Sequence, residues 1–168
     1  MLKMALEILA ATPRKLKDEI ATMAPREMAA RPARNKWSVR EVLAHLADVE
    51  ELGMRARVAA MVELENPTLL SFDQEARAAQ LRYHASPPQR SLASLKRQRR
   101  ANVAWLRKLR PTQLRRRGTH EKVGTISVEE LIAEWAFHDL GHLKQILEIK
   151  RYALFPRMGN MRAFYDWT

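Results

Sequence analysis

At 168 residues, with no cysteine and a mean hydropathy of −0.41, the chain is long enough for one hydrophobic core, and disulfides and thiolate metal sites are excluded. No apolar run approaches the roughly 20 residues of a membrane span, and Lys3 and Glu7 interrupt the apolar start, so neither a spanning helix nor a signal peptide is expected and a cytoplasmic location is. The net charge of +11 is unevenly held: residues 1–84 are nearly balanced, whereas residues 85–117 contain eleven cations and no acid, a segment able to attract nucleic acid or an acidic ligand.

Helical periodicity dominates. Leu2, Leu6, Leu9, Pro13, Leu16, Ile20 and Met23 form one stripe, and Thr12-Pro13 predicts a kink or a short first turn before the main helix. Pro25 and Pro32 bracket a connector, with room for a short helix over 26–30. Ser38 with Glu41 three residues on is a capping box, and Trp37 and Val42 can staple across it. The second helix is expected from Val39 to Leu64, its stripe being Val42, Leu46, Val49 and Ala56 with His45 among them; Asn66-Pro67 ends it. A short helix is expected between Ser71 and Tyr83. The third long helix runs from Gln89 to Leu109 on Leu92, Leu95, Val103, Leu106 and Leu109, with its cations mostly elsewhere. Residues 113–126 suit a loop or small hairpin. Ser127 and Glu130 repeat the capping box, with Ile126 and Leu131 as the staple. The last helix is expected from Val128 to Arg151 on Leu131, Trp135, His138, His142, Ile146 and Ile149. The reading is an all-α, four-helix bundle with short accessory helices, and one domain over residues 1–168.

His138 and His142 are one helical turn apart, so their rings share a face and two nitrogens can reach one ion at about 2.0–2.1 Å. His45 points inward from another helix. Three protein ligands with the remaining positions open is the pattern of a catalytic metal site. Packed polar histidines are the alternative, but three of them would bring up to three donors and three acceptors needing partners.

The segments Asn35–Glu50 (NKWSVREVLAHLADVE) and Ser127–Ile146 (SVEELIAEWAFHDLGHLKQI) carry W-S-x-x-E-x-x-x-H-L-x-D and H-D-x-x-H-x-x-Q-I patterns, and Gly124 precedes the second. In these the chain resembles the DinB-like (DNA-damage-inducible) four-helix metalloproteins. The resemblance implies an up-down-down-up bundle, a metal site on His45, His138 and His142, and a homodimer. It also implies thiol-dependent chemistry: that family includes low-molecular-weight thiol S-transferases and a mycothiol-dependent maleylpyruvate isomerase. The expected function is therefore a metal-dependent enzyme, S-transferase-like or hydrolase-like, that activates a small thiol against an electrophilic small-molecule substrate. The basic third helix would help receive an acidic thiol. The ion would be zinc, nickel, iron or copper. Alternatives are a stress-response nucleic-acid-binding or interaction protein with a structural metal, and a non-catalytic small-molecule binder.

Around the triad, Asp139 is expected either to orient an imidazole or to be a solvated charge. Asp48 could be a supporting group, a ligand or a base, Glu134 a weaker version of the same, and Gln145 a polar bundle contact. Trp37 and Trp135 read as core. His84 and His120 read as exposed. The aromatic C-terminus, Phe164, Tyr165 and Trp167, could fold over the bundle mouth or serve a dimer contact.

Overall fold

The computed structural model describes residues 2–165. Four long helical elements carry the fold: α1 (Leu2–Ile20), a rod made of α3 (Val39–Val49), a π-helical segment (Glu50–Arg55) and α4 (Ala56–Glu63), then α6 (Pro88–Leu106) and α8 (Val128–Leu154). Short helices α2 (Pro25–Ala29), α5 (Gln74–Gln80) and α7 (Pro111–Leu114) lie in the connections, and a 3-10 segment, Phe155–Phe164, follows α8. Among the described residues no helix is long and apolar enough to cross a membrane.

Contacts give the helix directions. Ala5 and Leu6 share a core cluster with Val128 and Leu131, and Lys150 meets Glu19 at 2.8 Å at the other end, so α1 and α8 run together. Gln98 donates to the Ala47 carbonyl and Asn102 to Glu50, each at 2.9 Å, which sets α6 parallel to α3. Arg99 reaches Leu9 and Arg107 reaches Glu7, so α6 opposes α1. The bundle is up-down-down-up.

Two consecutive parallel elements require a return crossover. Residues 64–87 provide it, through β1 (Thr68–Leu69), α5 and a 3-10 turn at Tyr83–Ala85. The expected hairpin is present: β2 (Arg117–His120) pairs antiparallel with β3 (Gly124–Ser127). Parallel pairing of β1 to β2, which the sequence did not announce, ties the crossover to it.

Both capping boxes form. The Ser38 amide donates to Glu41 at 2.9 Å and the Ser127 amide to Glu130 at 2.6 Å, satisfying amides that a helix start leaves free. Trp37 packs on the cluster holding Val42, and Ile126 on that holding Leu131.

Two expectations fail for instructive reasons. Helix α1 does not stop or start at Pro13; it runs through it, with Thr12 donating back to the Ile8 carbonyl at 2.9 Å. A helix-interior proline strips the carbonyl four residues earlier of its donor. That carbonyl, Leu9, instead accepts from buried Arg99 at 2.9 Å. Ala56 was placed on the inner stripe of the second helix by its seven-residue spacing from Val49. The π segment shifts the phase, so Ala56 is exposed and Val58 is buried. Gly53 lets the Val49 side chain lie close against the π segment, since a Cβ there would sit 2.4 Å from Val49 Cγ2.

The core has two apolar halves. One gathers Leu9, Met61, Leu106, Ile132 and Trp135, the other Leu16, Leu43, Leu46, Leu95 and Ile146. The residues between them along α3, α6 and α8 are polar.

Candidate metal centre

That polar stretch has two parts. In the first, Arg99 is 2% exposed while Glu50 and Asp139 are 0% exposed. Arg99 Nε and Nη2 donate to Glu50 at 2.8 and 2.7 Å. Nη2 also donates to Asp139 at 3.1 Å, and Nη1 donates to Asp139 and to the Leu9 carbonyl. All five guanidinium N–H groups are used. Asn102 and Trp135 complete Glu50 at 2.9 and 3.1 Å. Burial alone would weaken the Arg99 charge; the two carboxylates overcome this and push its pKa up. Asp139 is thus neither an imidazole partner nor a solvated charge. It is half of a buried ion network.

In the second part, His45 on α3 and His138 and His142 on α8 converge. His138 Nε2 lies 3.1 Å from His45 Nε2 and 3.2 Å from His142 Nε2. The three offer ligand atoms all within 4.8 Å of one another, and they are the one such group among the described residues. His142 Nδ1 is 2.8 Å from Gln145 Oε1, so Nδ1 carries the proton and Nε2 presents its lone pair to the cluster. Gln145, expected as a bundle contact, therefore sets a tautomer. The Nδ1 atoms of His45 and His138 are buried without partners. Burial, reinforced by the neighbouring rings, lowers the pKa of His45 to about 2; burial, His142 and Arg99 lower that of His138 to about 3; burial also lowers His142. The rings are neutral, and three Nε2 atoms that face one another have at most one hydrogen between any pair. A cation at their centre would use all three lone pairs, so the donor set fits a divalent metal.

Aromatic rings wall the site on the His45 side: Trp37 at 4.9 Å, Phe72 at 6.1 Å and Tyr83 at 6.4 Å between centroids. Trp135 is core, as expected, whereas Trp37 is half-buried against His45. Asp48 is committed elsewhere. Both its oxygens accept from Arg77, at 2.9 and 2.6 Å, and one accepts from the Tyr83 hydroxyl at 2.6 Å, which docks the crossover beside the site. Glu134, one turn before His138, is at the surface beside Arg57; partial desolvation raises its carboxyl pKa, with Arg57 opposing and Asp139 reinforcing the shift. His84 is exposed and His120 partly so, and neither joins the cluster. Phe164 and Tyr165 are exposed, and Trp167 lies outside the described residues.

Arg99 and Glu50 were missed in the sequence, yet a signal existed. Leu92, Leu95, Arg99, Asn102, Val103 and Leu106 keep helical spacing, as do Leu46 and Glu50; charge hid what period disclosed.

The fold and this site define a helical bundle with a three-histidine cluster of metal-site geometry. The chain belongs to the DinB superfamily, whose model matches residues 8–146. Two Oceanobacillus iheyensis proteins, OB0782 and OB0413, are each 28% identical to it. Their alignments cover 82% and 79% of this chain and 78% and 75% of theirs. YfiT of Bacillus subtilis is 26% identical over 92% of this chain and 84% of its own. All three are provisionally named metal-dependent hydrolases. The solved structure of YfiT, described as a probable metal-dependent hydrolase with an unusual four-helix bundle topology, aligns with a TM-score of 0.82 at 25% identity. That alignment covers 89% of this chain and 86% of that one.

Proposed function

We propose that the protein is a metal-dependent enzyme in which His45, His138 and His142 hold one divalent ion, zinc, nickel or iron, through their Nε2 atoms. The mutual approach of the Nε2 atoms of three neutral imidazoles, His45 buried and His138 and His142 partly so, carries the reading. Bound there, the ion supplies Lewis acidity and lowers the pKa of a water or thiol. The formal charge supports it too: one guanidinium between two carboxylates leaves a buried negative charge next to three uncharged rings. Gln145 holds the His142 proton on Nδ1. The Trp37, Phe72 and Tyr83 rings exclude water from one side. Glu134, one turn before His138 on α8, is our candidate to accept the nucleophile's proton; desolvation raises its carboxyl pKa.

Hydrolysis follows the names of the relatives. Transfer of a small thiol to an electrophile is the second reading, favoured by the aromatic wall around His45, which suits a polarisable sulfur. Elemental analysis of untagged protein, followed by an ester and thiol–electrophile screen of the metal-loaded form, tests the proposal. One ion per chain and turnover lost in His142→Ala are expected; unchanged stoichiometry in His142→Ala sinks it.

A homodimer is part of the reading. Phe137, Leu140, Leu147 and Leu154 line an exposed face of α8, Phe137 at 77% exposure. Glu129, Glu130 and Glu134 lie toward one end of that helix and Lys144 toward the other, so two copies packed antiparallel would pair opposite charges.

A further inference from the structure

The basic segment has so far no role except at Arg99 and at Arg116, which donates to the Met61 and Leu64 carbonyls at the end of α4. The structure shows where several of its cations go. A groove of about 1050 Å³ lies between α1 and α6. Lys96, Arg100 and Arg107 stand on its α6 bank, and Arg14 and Lys17 on its α1 bank. None of its lining residues is acidic. Arg14 and Arg107 each have an exposed acid within reach, Asp18 at 3.7 Å and Glu7 at 3.4 Å. Lys17, Lys96 and Arg100 have no acid at ion-pairing distance among the described residues. The floor is apolar and low, with exposed Ala10, Ala21, Ala93 and Ala104 and half-buried Leu92 and Met23.

We infer that this groove docks an acidic amphipathic helix of a partner protein. Its shape and charge together select that occupant. Residues 89–107 run about 27 Å along α6, enough for a helix of several turns. The cations recur along both banks, which suits acids spaced along a rod rather than one anionic headgroup. The apolar floor is recessed, so a phosphate backbone or a flat bilayer would leave it uncovered, whereas the apolar stripe of a helix would fill it. Alanines let another helix approach closely. A second copy packed groove to groove is disfavoured by charge, since it would set one cationic groove against another.

The probe is a fluorescent peptide of about 18 residues with leucines at i, i+3, i+4 and i+7 and glutamates flanking them. A scrambled peptide of the same composition, duplex DNA and phosphatidylserine vesicles are run beside it against the full chain. The amphipathic peptide is expected to bind at least about tenfold more tightly than the scrambled one. Binding should protect amides in residues 10–23 and 89–107 from exchange. It should fall at least about tenfold in Lys96→Glu/Arg100→Glu and in the groove-filling Ala93→Phe/Ala104→Phe, each folding normally by circular dichroism and with an unchanged metal content. Equal binding of the scrambled peptide, tighter binding of DNA or vesicles, or protection elsewhere would overturn the inference.

Discussion

The Arg99 network and the histidine cluster occupy adjacent steps of α8, since Asp139 belongs to one and His138 to the other, yet they are built on opposite rules. Every guanidinium N–H of Arg99 has an acceptor, and Glu50 takes four donors from three residues. The cluster turns three Nε2 atoms toward one another and leaves two ring nitrogens buried without partners. A polar group that finds its partners within the chain contributes to the fold, whereas three imidazole Nε2 atoms gathered on one point, each with a ligand lone pair available, are arranged to share a cation.

The two regions should therefore break differently. Arg99→Met leaves two buried carboxylates facing each other without a counter-charge and should cost about 3–5 kcal/mol, a large share of the total for a domain of this size. Urea unfolding reads this, and Arg99→Lys, which keeps the charge but not the fork, should recover only part of it. His142→Ala should behave in the reverse sense. Metal content drops toward zero, while the metal-free protein keeps its unfolding free energy to within about 1 kcal/mol, because His142 is only partly buried and gives up a single hydrogen bond, to Gln145. A large stability loss in that variant would show the cluster to be packing.

Acidity sharpens the contrast. The folded-state pKa values of His45 and His138, about 2 and about 3, lie below the unfolded 6.5. Between those values the unfolded chain binds more protons, so stability of the metal-free protein is fully present above about pH 6.5. It is lost as pH falls toward 3, by up to about 1.4 kcal/mol per pH unit for each ring. Urea midpoints at pH 7 and pH 5 should show the loss, and His45→Gln should flatten it. An unchanged slope in that variant would contradict the assignment of the titration to the cluster.

Much of the cluster was legible because imidazoles at helical spacing stand out against leucine, isoleucine and valine, and because Ser38 and Ser127 announce the starts of both helices that carry them. The network was not, because Arg99 lies in a run of cations that reads as solvated. The crossover was legible only in its short helix, expected between Ser71 and Tyr83 and found as α5; the rest of residues 68–88 has no period to read. The crossover is held by individual contacts, Arg77 and Tyr83 on Asp48 and two backbone pairings on β2, which only the assembled bundle creates. The π segment likewise adds a residue that no seven-residue spacing discloses.

Smaller effects test the joints. Gln145→Leu frees the His142 tautomer and should weaken metal affinity about 10–100-fold, measured by competition with a chelator, without lowering stoichiometry at saturation. Pro13→Ala should change stability least. A helix-interior proline ordinarily costs about 3 kcal/mol, but the Leu9 carbonyl already has Arg99 as its donor, so a restored amide should gain under about 1 kcal/mol by thermal unfolding.

The metal stoichiometry of untagged protein, set beside that of His45→Ala, His138→Ala and His142→Ala, tests the metal centre most directly. One divalent ion per chain is expected, lost in each single variant while the Arg99 network keeps all three folded. A protein that binds no ion, or variants that keep the full complement, would contradict that assignment.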